Sequence, residues 1–457
     1  MQANASQRQP MNNPPHSAEM PEWDVAVIGG GPAGSTAATL LADAGYRVQV
    51  LEKARHPRFH IGESLLPANL RLFERLGVGE AVRDIGMMKP AAEFVSPFHG
   101  QRLQRFAFAE AWDKTMPYAY QVRRSELDDI LLRNAAAHGA DVVEGCQVRD
   151  VEFLTDGSGA ILSAKHDDGR PYRCRARFVV DASGRDTLLA NRMRTKQRNK
   201  KHNSSALYGH FRGARRHEGA DEGNITVYWF EHGWFWFIPL ADGATSIGAV
   251  VWPYYLKRRA QGTSLEAFFL ETIALCKPLA ERLEHAELVT AVEATGNFSY
   301  SGDVTHGRNF LLLGDAFAFI DPVFSSGVML AMQSAFMGAE AIDICLRDPA
   351  RADAALAEFD RRARHGPKQF AWFIYRMTSP TMRNLFMNPR NMFRVKEALL
   401  SLLAGDIFGN TPIWSSLRLF KIIYYLSALA DARNSVRAWR ARRRMLRQAD
   451  DVQTAAG

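Results

Sequence analysis

The chain has 457 residues, 47% of them hydrophobic and 23% charged, which is enough for two or three domains around a large core. Four cysteines (Cys146, Cys174, Cys276 and Cys345) stand far apart, which excludes a disulfide framework and a cysteine zinc site and fits a reducing cytoplasm. The net charge of +8 gathers towards the end of the chain without any recognised nucleic-acid module, so nucleic acid is not an expected partner, and no run of about 18 apolar residues suggests a membrane span.

Residues 1–20 are rich in Asn, Gln, Pro and Ser and lack an apolar segment, so they read as a disordered leader rather than a signal peptide. Asp24 to Ile28 is a short apolar run suited to a buried parallel strand. Gly29-Gly30-Gly31-Pro32-Ala33-Gly34 follows at once, and Gly29, Gly31 and Gly34 fill GxGxxG, with Ala33 beside them at the helix start. A helix over Ser35–Ala44 and a second strand over Arg47–Leu51 come next, ending at Glu52. The three glycines differ in what they allow. Gly29 permits the tight turn, Gly31 lets a pyrophosphate approach the backbone, and Gly34 lets helix and strand pack closely. The helix N-terminus offers free N–H groups and a positive dipole to the phosphates. Glu52 suits the two ribose hydroxyls and disfavours a 2′-phosphate, so FAD or NAD fits better than NADP.

Two later strands end in acids. Phe178-Val179-Val180-Asp181 runs into Ala182-Ser183-Gly184-Arg185, and Arg308 to Asp315 ends at Gly314-Asp315, whose carboxylate is placed to hold a ribityl hydroxyl. A helix begins after Ser325-Ser326-Gly327. In this order, behind a GxGxxG unit, the segments resemble the FAD domain shared by aromatic hydroxylases, geranylgeranyl reductases and flavin halogenases. In that resemblance Arg124, four residues before Asp128, matches the arginine near the FAD diphosphate, and Asp181, Gly314 and Asp315 join the cofactor-binding set. The expected fold class is therefore α/β: a Rossmann-like FAD-binding domain of the aromatic-hydroxylase type, discontinuous over 21–190 and 300–345. The alternating runs at Thr226–Phe230 and Thr245–Val251 predict an antiparallel β-sheet substrate domain over 191–299, and 346–457 reads as a helical C-terminal region with a basic tail.

Trp234-Phe235-Trp236-Phe237-Ile238-Pro239 separates this chain from most such enzymes. Two tryptophans at alternate positions read either as part of an aromatic-rich core strand or as a bulky wall that, beside a flavin, would keep an organic substrate from it, whereas a hydroxylase needs the two in contact. The hexapeptide matches WxWxIP, and the chain resembles the flavin-dependent halogenases of the phenol and pyrrole type over roughly residues 22–430. Ile61-Gly62-Glu63-Ser64-Leu65-Leu66-Pro67 and, downstream, Lys89 add to the likeness. The resemblance implies that Lys89 is the essential residue of the halogenation site. It also implies that the turn Ser325, Ser326 and Gly327 holds chloride or bromide. An ammonium can hydrogen-bond hypohalous acid, a neutral amine can form a haloamine, and desolvation lowers a lysine pKa towards the point where both are accessible.

The implied reaction uses reduced FAD, oxygen and halide to halogenate an electron-rich aromatic, free or tethered to an acyl or peptidyl carrier protein. The implied partner is a separate flavin reductase. An NAD(P)H-dependent aromatic monooxygenase and a geranylgeranyl-reductase-like enzyme share the front-domain features but leave WxWxIP and Lys89 without a role. No residue is identified as the general base. Arg433, Arg437, Arg440, Arg442, Arg443, Arg444 and Arg447 read first as a solvated final helix and second as a dock for an acidic partner. The apolar stretch Leu417–Leu429 reads first as a packed amphipathic helix and second, with the basic tail, as the membrane contact of a prenyl-chain reductase.

Overall fold

The computed structural model describes residues 20–199, 204–296, 299–408 and 411–433, with 436, 437 and 440. The expected leader therefore lies outside the described residues except for Met20, as do Arg442, Arg443, Arg444 and Arg447.

The chain opens with β1 (Glu22–Ile28), turns through the glycines into α1 (Pro32–Asp43) and returns as β2 (Val48–Glu52). Pro32 takes the first helical position, where its missing N–H costs nothing. Gly29 adopts φ +102°, and a Cβ there would meet the Ala182 carbonyl oxygen at 2.5 Å. A Cβ on Gly34 would fall 1.9 Å from the Gly29 oxygen, so the close packing of strand and helix requires glycine at both.

From β2 the chain leaves this layer. It forms β3 (Met87–Lys89), β4 (Ala91–Ser96) and β5 (Arg102–Ala107), then comes back through α2 (Arg124–Ala137) to β6 (Asp141–Glu144) and β7 (Pro171–Asp181). A second excursion supplies β8 (Ser205–Arg212), β9 (Ile225–Phe230), β10 (Gly233–Pro239) and β11 (Thr245–Val251). The last return is β12 (Phe310–Leu312), followed by α3 (Gly327–Arg347) and α4 (Ala352–Ile374).

The first sheet runs β12-β7-β1-β2-β6, all parallel, and an antiparallel hairpin over 146–166 extends the lower half of β7. Helices α1 and α3 pack together on one face. The second sheet runs β8-β11-β10-β9-β4-β5. Its strands pair antiparallel except at β9 and β4, where Ile225 lies beside Ala92 in parallel. Residues 91–107 thus belong to the second sheet, although their place in the sequence assigned them to the FAD domain. Four helices, Ala352–Ile374, Pro380–Met387, Val395–Ala404 and Trp414–Ala430, dominate the described C-terminal region, as the sequence predicts. The largest core cluster joins them to the second sheet through Phe94, Phe106, Phe324, Phe370 and Phe386. Among the described residues α3 alone is long and apolar enough to cross a membrane by length and composition, and 67% of its apolar window is buried inside the fold.

Candidate active site

The glycine turn, the end of β2, the segment Arg58–Ser64 and the inner face of β10 enclose a cavity of about 830 Å³. At one end Glu52 is buried, its Oε2 accepting a hydrogen bond from Gly30 N at 2.6 Å and its Oε1 from Ala54 N at 2.8 Å. Gly29, Gly31 and Ala33 line the wall beside it, and around a Cβ on Gly31 only the tip of Arg58 lies within 4 Å. The backbone there is open to a close approach. Gly34 does not reach the cavity; its part is the packing described above.

Arg124 faces the same space. Its Nε and Nη2 donate to the two oxygens of Asp128 at 2.8 and 3.0 Å, and Arg58 Nη1 donates to the same carboxylate at 3.0 Å. Burial would raise the Asp128 pKa, but Arg124 and Arg58 outweigh it and hold the carboxyl below its usual range. Two guanidiniums around one buried carboxylate leave one net positive charge at the cavity wall, fixed by bidentate geometry. His60 stands next to them with its pKa lowered to about 4, by burial first and by Arg124 second, so it is neutral and adds no charge.

Asp315 also lines the cavity. Burial pushes its carboxyl up to about 6, and no hydrogen bond reaches that carboxylate among the described residues. A hydroxyl donor from a bound ligand would satisfy it. Gly314, at φ +55°, turns the chain from β12 towards Asp315 but does not itself line the space. Asp181 does not meet the expectation of cofactor contact. It is fully buried behind the wall, where Oδ1 accepts from Ser183 N at 3.0 Å and Oδ2 from Leu189 N at 2.7 Å. Asp181 thus holds the loop 182–189 and, unlike Glu52, does not line the cavity.

These features fit FAD. The open glycine turn and the Arg58–Arg124 pair suit the diphosphate, Glu52 suits the adenosine ribose, and the unpartnered Asp315 suits a hydroxyl of the ribityl chain.

At the other end Trp234 and Trp236 of β10 line the cavity, their ring centroids 6.0 Å apart. Trp236 Nε1 donates to Ser246 Oγ at 3.2 Å, and its ring lies over Gly248, where a Cβ would come within 2.1 Å of it. Pro239 ends the strand opposite Thr245, away from the cavity. Ser325 and Gly327 line the wall, and nothing lies within 4 Å of a Cβ on Gly327. Ser325 adopts φ +56°, with Asp321 Oδ1 accepting from Val323 N at 3.3 Å within the same turn. Ser326 is buried and does not line the cavity, so of the three turn residues it is the one set back.

Lys89 closes β3 and is 1% exposed. Its Nζ donates to Ser64 Oγ at 2.9 Å and to the Leu65 carbonyl at 2.7 Å, and the Phe108 ring lies 5.4 Å away. Burial lowers its pKa from 10.5 to about 7. Lys89 does not line the large cavity, but Ser64 does, so the lysine sits one side chain behind the wall. The segment 61–66 bridges the two places, pinned by hydrogen bonds from Leu65 N to Tyr120 O and from Val122 N to Glu63 O. Glu63 also lines the cavity, and both its oxygens lie 3.0 Å from His210 Nε2. Arg58, His60, Ser64, Glu63 and His210 were not singled out from the sequence as site residues. The bridge from Ser64 to Lys89 spans 25 positions, and that from Glu63 to His210 spans 147.

A cavity of this shape beside a parallel sheet and its glycine turn fits an FAD-dependent oxidoreductase, and the FAD binding domain family matches residues 22–371. The 1H-pyrrole-2-carbonyl-(peptidyl-carrier protein) chlorinase of Pseudomonas fluorescens is 31% identical over 85% of this chain and 90% of that protein. The tryptophan 2-halogenase of Chondromyces crocatus is 37% identical over 70% of this chain, but the match spans only 60% of that protein. Among solved structures, the myxobacterial chondrochloren halogenase superposes with a TM-score of 0.74 at 35% identity, covering 87% of this chain and 93% of that one. The chain belongs to the flavin-dependent halogenases.

Proposed function

We propose that the protein halogenates an electron-rich aromatic ring, a phenol or pyrrole, with Lys89 directing the halogen. Bound in reduced form, FAD supplies the oxidising chemistry, with oxygen and halide giving oxidised flavin, water and hypohalous acid. Glu52, Arg58, Arg124 and Asp315 bind and orient the cofactor. The backbone of the turn at Ser325 and Gly327 holds chloride or bromide beside it, in the manner of an anion nest. Trp234 and Trp236 keep the organic substrate out of the cavity, so that only a small species passes.

Lys89 then meets hypohalous acid. As an ammonium it donates a hydrogen bond to the oxygen and makes the halogen more electrophilic; the ring attacks the halogen, and water leaves with the ring proton. The observation that carries this reading is the position of Lys89: buried, tied to Ser64 at the cavity wall, and with its pKa near 7. Glu63, in the same segment as Ser64, and His210 form a buried acid–base pair, and neither is assigned a proton-transfer step.

A separate flavin reductase supplies the reduced cofactor, and four free buried cysteines suit a reducing cytoplasm. The substrate is carried free or on an acyl or peptidyl carrier protein. The chlorinase relative, whose name places its pyrrole on a peptidyl carrier protein, supports the second form. The test supplies FAD, a flavin reductase, NADH and bromide with phenols and pyrroles, free and carrier-bound, and seeks brominated products by mass spectrometry. Bromination lost in Lys89→Ala is the expected result. Hydroxylated product, or rapid NADPH oxidation without the reductase, overturns the proposal.

A further inference from the structure

The outer face of the last helix takes no part in the site. Trp414–Ala430 is held by its inner face: Phe420 stacks on Phe373 at 5.6 Å, and Tyr424 packs against Trp372 at 5.3 Å. Three large aliphatic side chains line the other side at i, i+4 and i+7: Ile422, Leu426 and Leu429 are 55%, 61% and 71% exposed. Scattered single exposed leucines need no explanation, but a continuous stripe of this kind marks an interaction surface.

The charges on that face are of one sign. Arg418 lies one turn before Ile422, and the exposed Arg433, Arg437 and Arg440 follow beyond the helix end at Ala430. From Trp414 to Arg447 the sequence has nine Lys or Arg and a single acid, Asp431, which caps the helix C-terminus. Four of those arginines come after residue 440, so the sequence goes on gaining positive charge beyond the described residues.

These features select among occupants. A second copy docking helix to helix would bring arginines against arginines at both ends of the stripe. An anionic bilayer meets both halves of the pattern at once: aliphatic side chains enter the boundary between headgroups and acyl chains, and the flanking guanidiniums pair with phosphates while their stems lie along the apolar surface. We propose that this helix face docks the enzyme on an anionic membrane surface as a peripheral protein. The inference does not depend on the halogenase reading, and its test needs no turnover.

Full-length protein is sedimented with sucrose-loaded vesicles of phosphatidylcholine alone or of phosphatidylcholine with phosphatidylglycerol. Binding to the anionic vesicles is expected to be stronger by roughly tenfold or more, and to weaken as salt rises. The Leu426→Glu/Leu429→Glu variant should lose binding while keeping its melting temperature, since both residues are exposed. The Arg433→Glu/Arg437→Glu variant should lose the preference for anionic lipid. Three results overturn the proposal: equal binding by the native protein and the leucine variant, no binding to anionic vesicles, or a native dimer by light scattering that the leucine variant breaks. Loss of bromination with vesicle binding intact would count against the function proposed above and leave this inference standing.

Discussion

Replacing Lys89 by methionine keeps an unbranched chain of similar length and removes the charge. The native pKa of about 7, against 10.5 in a free chain, means that the fold disfavours the ammonium by about 5 kcal/mol, at about 1.4 kcal/mol per decade. Between these two values the unfolded chain holds a proton that the folded protein has released, so native stability rises with pH across the window. The penalty is full below pH 7 and gone above pH 10.5. Methionine carries no such penalty at any pH. It does forgo the hydrogen bonds to Ser64 Oγ and Leu65 O, a cost of about 1–3 kcal/mol that does not change with pH. The stability of Lys89→Met relative to the native protein should therefore be highest below about pH 7 and fall by about 3 kcal/mol between about pH 7 and 9. Guanidinium unfolding of the flavin-free proteins, followed by tryptophan fluorescence at several pH values, gives that slope. A difference that stays flat with pH, or grows, would refute the claim that Lys89 is held in an environment hostile to its charge. The same variant should bind FAD normally and fail to halogenate.

The Asp315 carboxyl, raised to about 6, is penalised when ionised, so its contribution lowers stability as pH climbs from about 4 to 6. Asp315→Asn should abolish that loss, by about 3 kcal/mol at most, and should weaken FAD retention about tenfold in equilibrium dialysis; unchanged FAD affinity would remove Asp315 from the cofactor site. Arg124→Ala leaves the buried Asp128 with Arg58 alone and should cost about 3–5 kcal/mol of stability as well as FAD affinity, whereas a loss of affinity without a fall in melting temperature would contradict the ion-pair account. Gly248→Val drives a side chain into the Trp236 ring and should cost about 1–3 kcal/mol with a changed tryptophan spectrum; a variant as stable as the native protein would mean that the indole has room to move.

Much of the cofactor half was legible because its signals are local. Strand, glycine turn, helix, strand and acid follow one another without a break, and each leaves its own mark: the apolar run, Gly29 and Gly34 where a Cβ cannot fit, and Glu52 at the strand end. Asp181 shows the limit of that logic. An acid at the end of a buried strand in such a domain suggests a ligand contact, yet the next turn curls back and its backbone N–H groups donate to both carboxylate oxygens. Ser326 was singled out with Ser325 and Gly327, but the left-handed conformation at Ser325 sets alternate members of the turn on opposite sides of the wall. Arg58 and His60 were missed because nothing near them in sequence marks them; Asp128, 70 positions on, gathers Arg58 to the cavity.

The domain boundary failed for a reason that bears on the chemistry. Residues 91–107 follow the FAD-binding unit in sequence, but β4 finds its partner in β9, where Ala92 lies beside Ile225, and no local pattern announces a pairing between segments so far apart in the chain. That pairing sets the location of Lys89. β3 ends and β4 begins on either side of Pro90, so the lysine sits at the point where the chain passes from a small two-stranded sheet with residues 119–121 into the second sheet. From one side the segment Glu63–Leu65 reaches it out of the cavity wall; from the other, Phe108 at the end of β5 covers it. The Trp234–Trp236 wall belongs to the second sheet, two strands from β4 through β9. Lys89 and the two tryptophans thus stand on different sheets that meet at Pro90, where the strand paired with residues 119–121 ends and β4 of the second sheet begins.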